Sequence, residues 1–231
     1  MKTTKFIHLS ILLFLNLYSF AQNNNYPYDK WTSTELNKAA TYRGIEYMNK
    51  TDTAVLFYCN LARINPKLFR DTYLSEYKKN FNDSKGQKIM YINSLWNDLS
   101  KLKKEEPLYP QKDLCNIAEK HAETMGKKGK TGHDNYDKRF KYVESKYTAT
   151  GENCDYGNSD PLDIVMSLLI DEGIVNLGHR KNILSSNFNS YGGSLKPHTK
   201  YNYNYVMDFG FDTAISSPKS KNSFWKLFNK N

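Results

Sequence analysis

Imidazole and carboxylate are the side chains that hold divalent metals and move protons near neutral pH. Four of those in this 231-residue chain stand at characteristic places between positions 133 and 179. They are His133, the Glu152 of Gly151-Glu152-Asn153, Asp171, and the His179 of Gly178-His179-Arg180. If the fold brings them together, they form a polar site able to take a metal ion or to exchange protons with a bound molecule. The sequence has no His-Glu-x-x-His, no Gly-x-Ser-x-Gly, and no Cys-His pair close enough in sequence to suggest a nucleophile. A further histidine, His121, reads differently. It lies on the stripe Leu114, Ile117, Ala118, His121, Ala122 and Met125, whose i, i+3, i+4 spacing marks one helix face, and so reads as a packed core histidine.

The elements that must position these residues are largely helical in the front half. An apolar segment from Ala54 to Ala62 runs to Asn65-Pro66, a helix cap followed by proline at the first helical position. Leu95, Leu99 and Leu102 continue helical spacing up to a break at Pro107. The His121 helix is expected to end at Gly126 and Gly129 among lysines. Ser159-Asp160-Pro161 opens another helix, with Leu162, Val165, Met166 and Leu169 on one face, and its last turn delivers Asp171-Glu172-Gly173. From Tyr201 to Asp212 the period changes to two, predicting a strand with one buried face. Tyr191 to Lys196 can pair with it through Pro197-His198-Thr199-Lys200, and Glu152 to Tyr156 offers a third strand. Gly151, Gly178, Gly192 and Gly193 serve backbone geometry, where a side chain would clash. The class is therefore α+β, a small antiparallel sheet flanked by helices.

The ends read separately from this domain. Residues 1–21 carry a basic start, a largely apolar run from Phe6 to Phe20 and small residues at Ser19 and Ala21, the pattern of a cleaved secretory signal. No later segment reaches the length of a membrane span. A secreted chain, periplasmic or extracellular, follows as the expectation, with residues 22–49 as an extension, 50–212 as the domain and 213–231 as a basic, aromatic tail. Phe224, Trp225, Leu227 and Phe228 among Lys221, Lys226 and Lys230 suit contact with an envelope surface, or simple packing. The formal charge of +9 loses Lys2 and Lys5 with the signal and Lys219, Lys221, Lys226 and Lys230 with the tail, leaving +3 for residues 22–212. That balance, with no recognisable motif, argues against nucleic acid as a partner. Three cysteines permit at most one intrachain disulfide; Cys59 and Cys115 lie in helical patterns and read as small buried apolar residues.

The ordered set Asn60-Leu-Ala-Arg63, Leu114-x-x-x-Ala118-x-x-His121-Ala122-x-x-Met125, His133, Gly151-Glu152-Asn153, an acid-ended helix, Gly178-His179-Arg180-Lys-Asn182-Ile-Leu184, Gly192-Gly193 and Asp208-Phe209 resembles the CAP superfamily. That superfamily groups cysteine-rich secretory proteins, antigen 5, pathogenesis-related proteins and bacterial SCP-like proteins, and the secreted bacterial branch is the nearest match. The resemblance implies a three-layer α-β-α sandwich and a central cleft. By position, His133 and His179 become the metal-binding histidines, and Glu152 and Asp171 the cleft acids, with Glu172 the alternative if the register shifts by one. Where many members carry an aromatic residue three positions before the second acid, this chain has Leu168. The family's disulfides are missing. Zn2+ or another divalent cation is the implied cofactor, and a lipid or sterol the implied ligand. A metal-assisted hydrolase using Glu152 as base, and a scaffold in which the four residues form a purely structural polar network, remain as alternatives.

Overall fold

The computed structural model describes residues 28–79 and 86–215. The signal and most of the tail, residues 216–231, lie outside the described residues.

Helix α1, Ser33–Ala39, opens on a capping box in which Thr32 and Glu35 satisfy each other's backbone donors. Helix α2, Lys50–Ile64, is buried along almost its whole length, from Ala54 through Ile64. It has no solvent face because it runs through the centre of the main core. Asn65 ends α2 and caps α3, Pro66–Phe69, where Pro66 takes the first helical turn. A π-helical turn, Arg70–Leu74, joins α3 to α4, Ser75–Lys79. Helix α5, Gln87–Lys101, buries Ile92, Leu95 and Leu99. It stops at Leu102, short of Pro107, and Leu102 is left partly exposed.

Helix α6, Lys112–Lys128, carries the His121 stripe and ends at Gly129, whose φ of 62° is the left-handed cap. Gly126 does not terminate it. A Cβ there would lie 2.1 Å from the carbonyl oxygen of Pro197, so that glycine lets α6 rest directly on the sheet. The short helix α7, Tyr136–Phe140, follows, then α8, Pro161–Ile170, capped by Asp160, and α9, Gly178–Leu184.

The sheet contains β1, Tyr109–Pro110, β2, Thr150–Tyr156, β3, Ser190–His198, and β4, Asn202–Gly210, in the order β1-β3-β4-β2. The three long strands are antiparallel, and the two-residue β1 adds a parallel edge beside Ser190 and Tyr191. Strand β4 departs from the expected single buried face. Tyr205, Met207 and Phe209 join the main core with α2 and α8, but Asn204, Val206 and Asp208 are buried as well. As the central strand it is covered on its second face by α6, where Val206 and Cys154 pack against Ala118 and Ala122. Tyr201 and Tyr203, expected in the core, sit at the projecting end of the hairpin and are 37% and 41% exposed. Helices thus cover both faces of the sheet, the three-layer α-β-α sandwich that the resemblance implies.

Candidate functional site

Glu152 sits on β2, which has a neighbour on one side only. Its side chain points to the α6 face, and two side chains hydrogen-bond its carboxylate. His133, in the loop after α6, places Nδ1 2.7 Å from Oε1. Arg139, on α7, donates from both terminal nitrogens, at 2.5 Å to Oε2 and 2.9 Å to Oε1. Burial alone would raise the Glu152 pKa, but the hydrogen bonds from His133 and Arg139 and the guanidinium charge outweigh it and hold the group at about 2. Glu152 is therefore a fixed anion with a fixed counter-ion.

The cross-strand partner of Glu152 is Asp208. It is fully buried, no N–H or hydroxyl donor reaches either carboxyl oxygen among the described residues, and the group within its own hydrogen-bonding reach is the Glu152 carboxylate. Burial first, and the negative charge of Glu152 second, push its pKa well above the usual carboxylate value, so the fold favours its protonated form.

His121 lies behind Glu152, 3% exposed, with Nε2 2.9 Å from the carbonyl of Gly132 and 3.8 Å from Glu152 Oε1. Burial lowers its pKa, so the imidazole is neutral and donates Nε2–H to Gly132. Cys154 completes a buried group, its ligand atom and those of His121 and Glu152 all within 4.8 Å of one another. Each donor is already engaged: Glu152 by arginine and histidine, His121 by a carbonyl, and the Cys154 thiol, 3.7 Å from the same carbonyl, is pushed well up by burial and the neighbouring acids. A cation entering here would have to displace Arg139 and take a proton from the thiol. All three cysteines are free and buried.

The second pair lies on the other side of β2. Asp171 caps the C-terminus of α8 with φ 60°, a left-handed conformation that turns the chain sharply. Its Oδ1 accepts from His179 Nδ1 at 2.7 Å, and its Oδ2 from the backbone N–H of Arg180 at 3.2 Å. Glu172 is exposed and takes no part in this contact; Leu168 is buried in the core. Arg180 holds the end of α8, donating to the carbonyls of Leu169 and Ile170 and pairing with Asp98 on α5. Asn153 donates to the His179 carbonyl at 3.0 Å and accepts from Asn182 at 2.8 Å, fastening α9 to β2.

Successive residues of a strand point to opposite faces. The four residues therefore come as two dyads, His133 with Glu152 and His179 with Asp171, one on each side of the edge strand β2. In both, Nδ1 faces a buried carboxylate and Nε2 has no hydrogen-bond partner among the described residues. Arg139 and Asp208 belong to this site, yet the sequence marks neither as a site residue, Asp208 entering only as part of the Asp208-Phe209 motif. Arg139 carries no spacing signal, because it reaches Glu152 across a loop and a one-turn helix. Asp208 reads in the sequence as a solvent-facing position of an amphipathic strand.

The model of the CAP family, described as the cysteine-rich secretory protein family, matches residues 58–209. Among solved structures, an outer surface protein from Borrelia burgdorferi is 19% identical with a TM-score of 0.39, the alignment covering 56% of this chain and 96% of that one. A cysteine-rich secretory protein from Staphylococcus aureus is 18% identical with a TM-score of 0.36, over 56% of this chain and 40% of that one. No curated protein matches the chain significantly in sequence. With a family match spanning most of the chain and the layered sheet it requires, this protein belongs to the CAP, or cysteine-rich secretory protein, family.

Proposed function

We propose that the protein is a secreted binding module whose ligand lies along the edge of β2, between the two dyads. The observation that carries this reading is that both imidazoles have Nδ1 braced by a buried carboxylate and Nε2 left open. A carboxylate on one ring nitrogen is the arrangement that orients a histidine to ligate through the other. On this reading His133 and His179 would reach around the edge of β2 from its two sides and hold Zn2+ or a similar divalent cation through Nε2, with open positions for solvent or ligand. Bound there, the ion would supply Lewis acidity or a bridging contact.

The ligand class favoured is a lipid or sterol. Ile174 and Val175, 37% and 94% exposed, stand on the loop between Asp171 and His179, so apolar surface borders the polar site. The hydrolase reading gains no such support. A general base needs a pKa near the working pH, whereas Glu152 is held at about 2 and bound on both oxygens.

Calorimetric titration of Zn2+ into the purified protein, beside the His133→Ala/His179→Ala variant, tests the metal. One ion bound by the native protein and none by the variant is the expected result. A folded native protein that binds no ion removes the metal from the reading. Saturable uptake of a labelled sterol or fatty acid, reduced in Val175→Asp, tests the lipid. If neither ligand binds, the dyads are structural.

A further inference from the structure

We propose that the cavity between α6 and α7 is a second site, built for an oxyanion such as a phosphate or sulfate ester. It encloses about 280 Å³ and is lined by Lys120, Lys128, Lys138, Arg139, His121 and Asp134, among others. Lys120 and Lys128 stand on the same stripe of α6, eight residues apart, and Lys138 faces them from α7.

These three ammonium groups have no carboxylate partner among the described residues, unlike Lys38, Lys127, Lys146 and Lys196, which pair with Glu106, Glu123, Asp113 and Glu119. The one acid on the cavity wall, Asp134, lies 3.9 Å from Lys130 and is shared with it. Arg139 is consumed by Glu152, so it fixes the wall and contributes little free charge. His121 is neutral. The cavity therefore carries an excess of about two positive charges, by the formal count of three lysines against one carboxylate, set at exposed positions around one concavity where their potentials add.

An anion of compact, multiply charged form relieves that excess best. Lysine acts on phosphate as a point charge with several donors, and three lysines approaching from two helices suit a tetrahedral oxyanion better than a planar carboxylate. This site goes beyond the proposal for the β2 edge. It shares Arg139 and His121 as a common wall but requires neither the metal nor His133 and His179.

The test uses inorganic pyrophosphate, titrated calorimetrically into the purified protein at fixed, near-physiological ionic strength. The native protein is compared with Lys120→Gln/Lys128→Gln/Lys138→Gln and with Lys30→Gln/Lys67→Gln/Lys103→Gln, which removes equal charge from exposed positions elsewhere. Saturable binding that weakens about tenfold or more in the first variant and stays unchanged in the second is expected, as for lost hydrogen bonds to a charged group. Should the triple variant fail to fold by circular dichroism, Lys138→Gln alone is expected to weaken binding severalfold. A parallel sedimentation assay with phosphatidylglycerol and phosphatidylcholine vesicles identifies the source. Lysine-dependent binding to the anionic vesicles, competed by pyrophosphate, assigns a lipid headgroup; pyrophosphate binding without vesicle binding assigns a soluble phosphate. Absence of saturable pyrophosphate binding, or equal loss in both triple variants, overturns the proposal.

Discussion

Arg139 and Asp208 define the electrostatics of the Glu152 dyad from opposite sides. Arg139 is 15% exposed and meets a carboxylate that is 1% exposed, so Arg139→Met leaves a buried anion without its partner. Loss of about 3–5 kcal/mol in urea unfolding is the expected outcome, and a loss under about 1 kcal/mol would mean the pair is solvated. Asp208 works in the reverse sense. Its pKa is raised in the folded state, so the stability it provides is complete below about pH 4, the unfolded value, and declines as pH rises. Asp208→Asn, which cannot ionise, should be more stable than the native protein at pH 8, with the gap closing toward pH 4. An equal deficit at every pH would show that Asp208 serves by shape and hydrogen bonding alone. The four residues of the two dyads stand out in the sequence by type, but which acid meets which histidine is a property of strand pleat and helix turn. Asp171 separates from Glu172 through the left-handed φ at the end of α8, which no periodicity predicts.

At the scale of elements, α6 and its seat on the sheet are the most legible part. Helical periodicity names its buried face, and Gly192 of the glycine pair marks a close backbone approach, whereas Gly193 makes room for the Tyr191 and Tyr205 hydroxyls on the other face. A Cβ on Gly192 would lie 2.2 Å from both the Leu114 carbonyl carbon and the Cys115 amide nitrogen, so α6 touches β3 backbone to backbone. Gly192→Ala must move the helix or the strand, and a loss of at least about 1–3 kcal/mol is expected by chemical denaturation. Retention of full stability would mean that the layer slides freely. Strand β4 is legible as a strand but not as a two-sided one, because alternation of tyrosine with asparagine and aspartate looks the same for a solvated face and for a buried polar one. What decides is α6, which covers the second face and arrives from far away in the chain. Parallel pairing of β1 has no signal at all, since two residues are too few to show a period.

For the whole molecule, the buried acids set a common pH dependence. Asp52 is raised to about 7 and Asp155 to about 6, both chiefly by burial, and Asp208 is raised too. Each holds its proton in the folded state over a range where the unfolded chain has lost it, so stability from these groups falls between about pH 4 and pH 7. Glu152, lowered to about 2, acts only below the unfolded glutamate value of about 4.5, where its contribution is lost as pH falls. His121, whose pKa is lowered by burial, opposes the trend by costing stability as pH drops below about 6.5. Three acids against one imidazole predict a midpoint for urea unfolding that is higher at pH 5 than at pH 7.5. A midpoint that rises over that interval would contradict the assignment.

The three free cysteines divide among the layers: Cys59 on α2, fully buried, Cys115 on α6, 7% exposed, and Cys154 on β2, 8% exposed. Each thiol is a reporter already installed in a different part of the molecule. An alkylating reagent can reach it only when that part opens, so native-state labelling, read peptide by peptide, becomes a map of local opening free energies. Cys154, on a strand held by a single neighbour, should label first, and Cys59 only at the rate of global unfolding. The same chain thus carries three clocks, set to its edge, its outer helix and its centre.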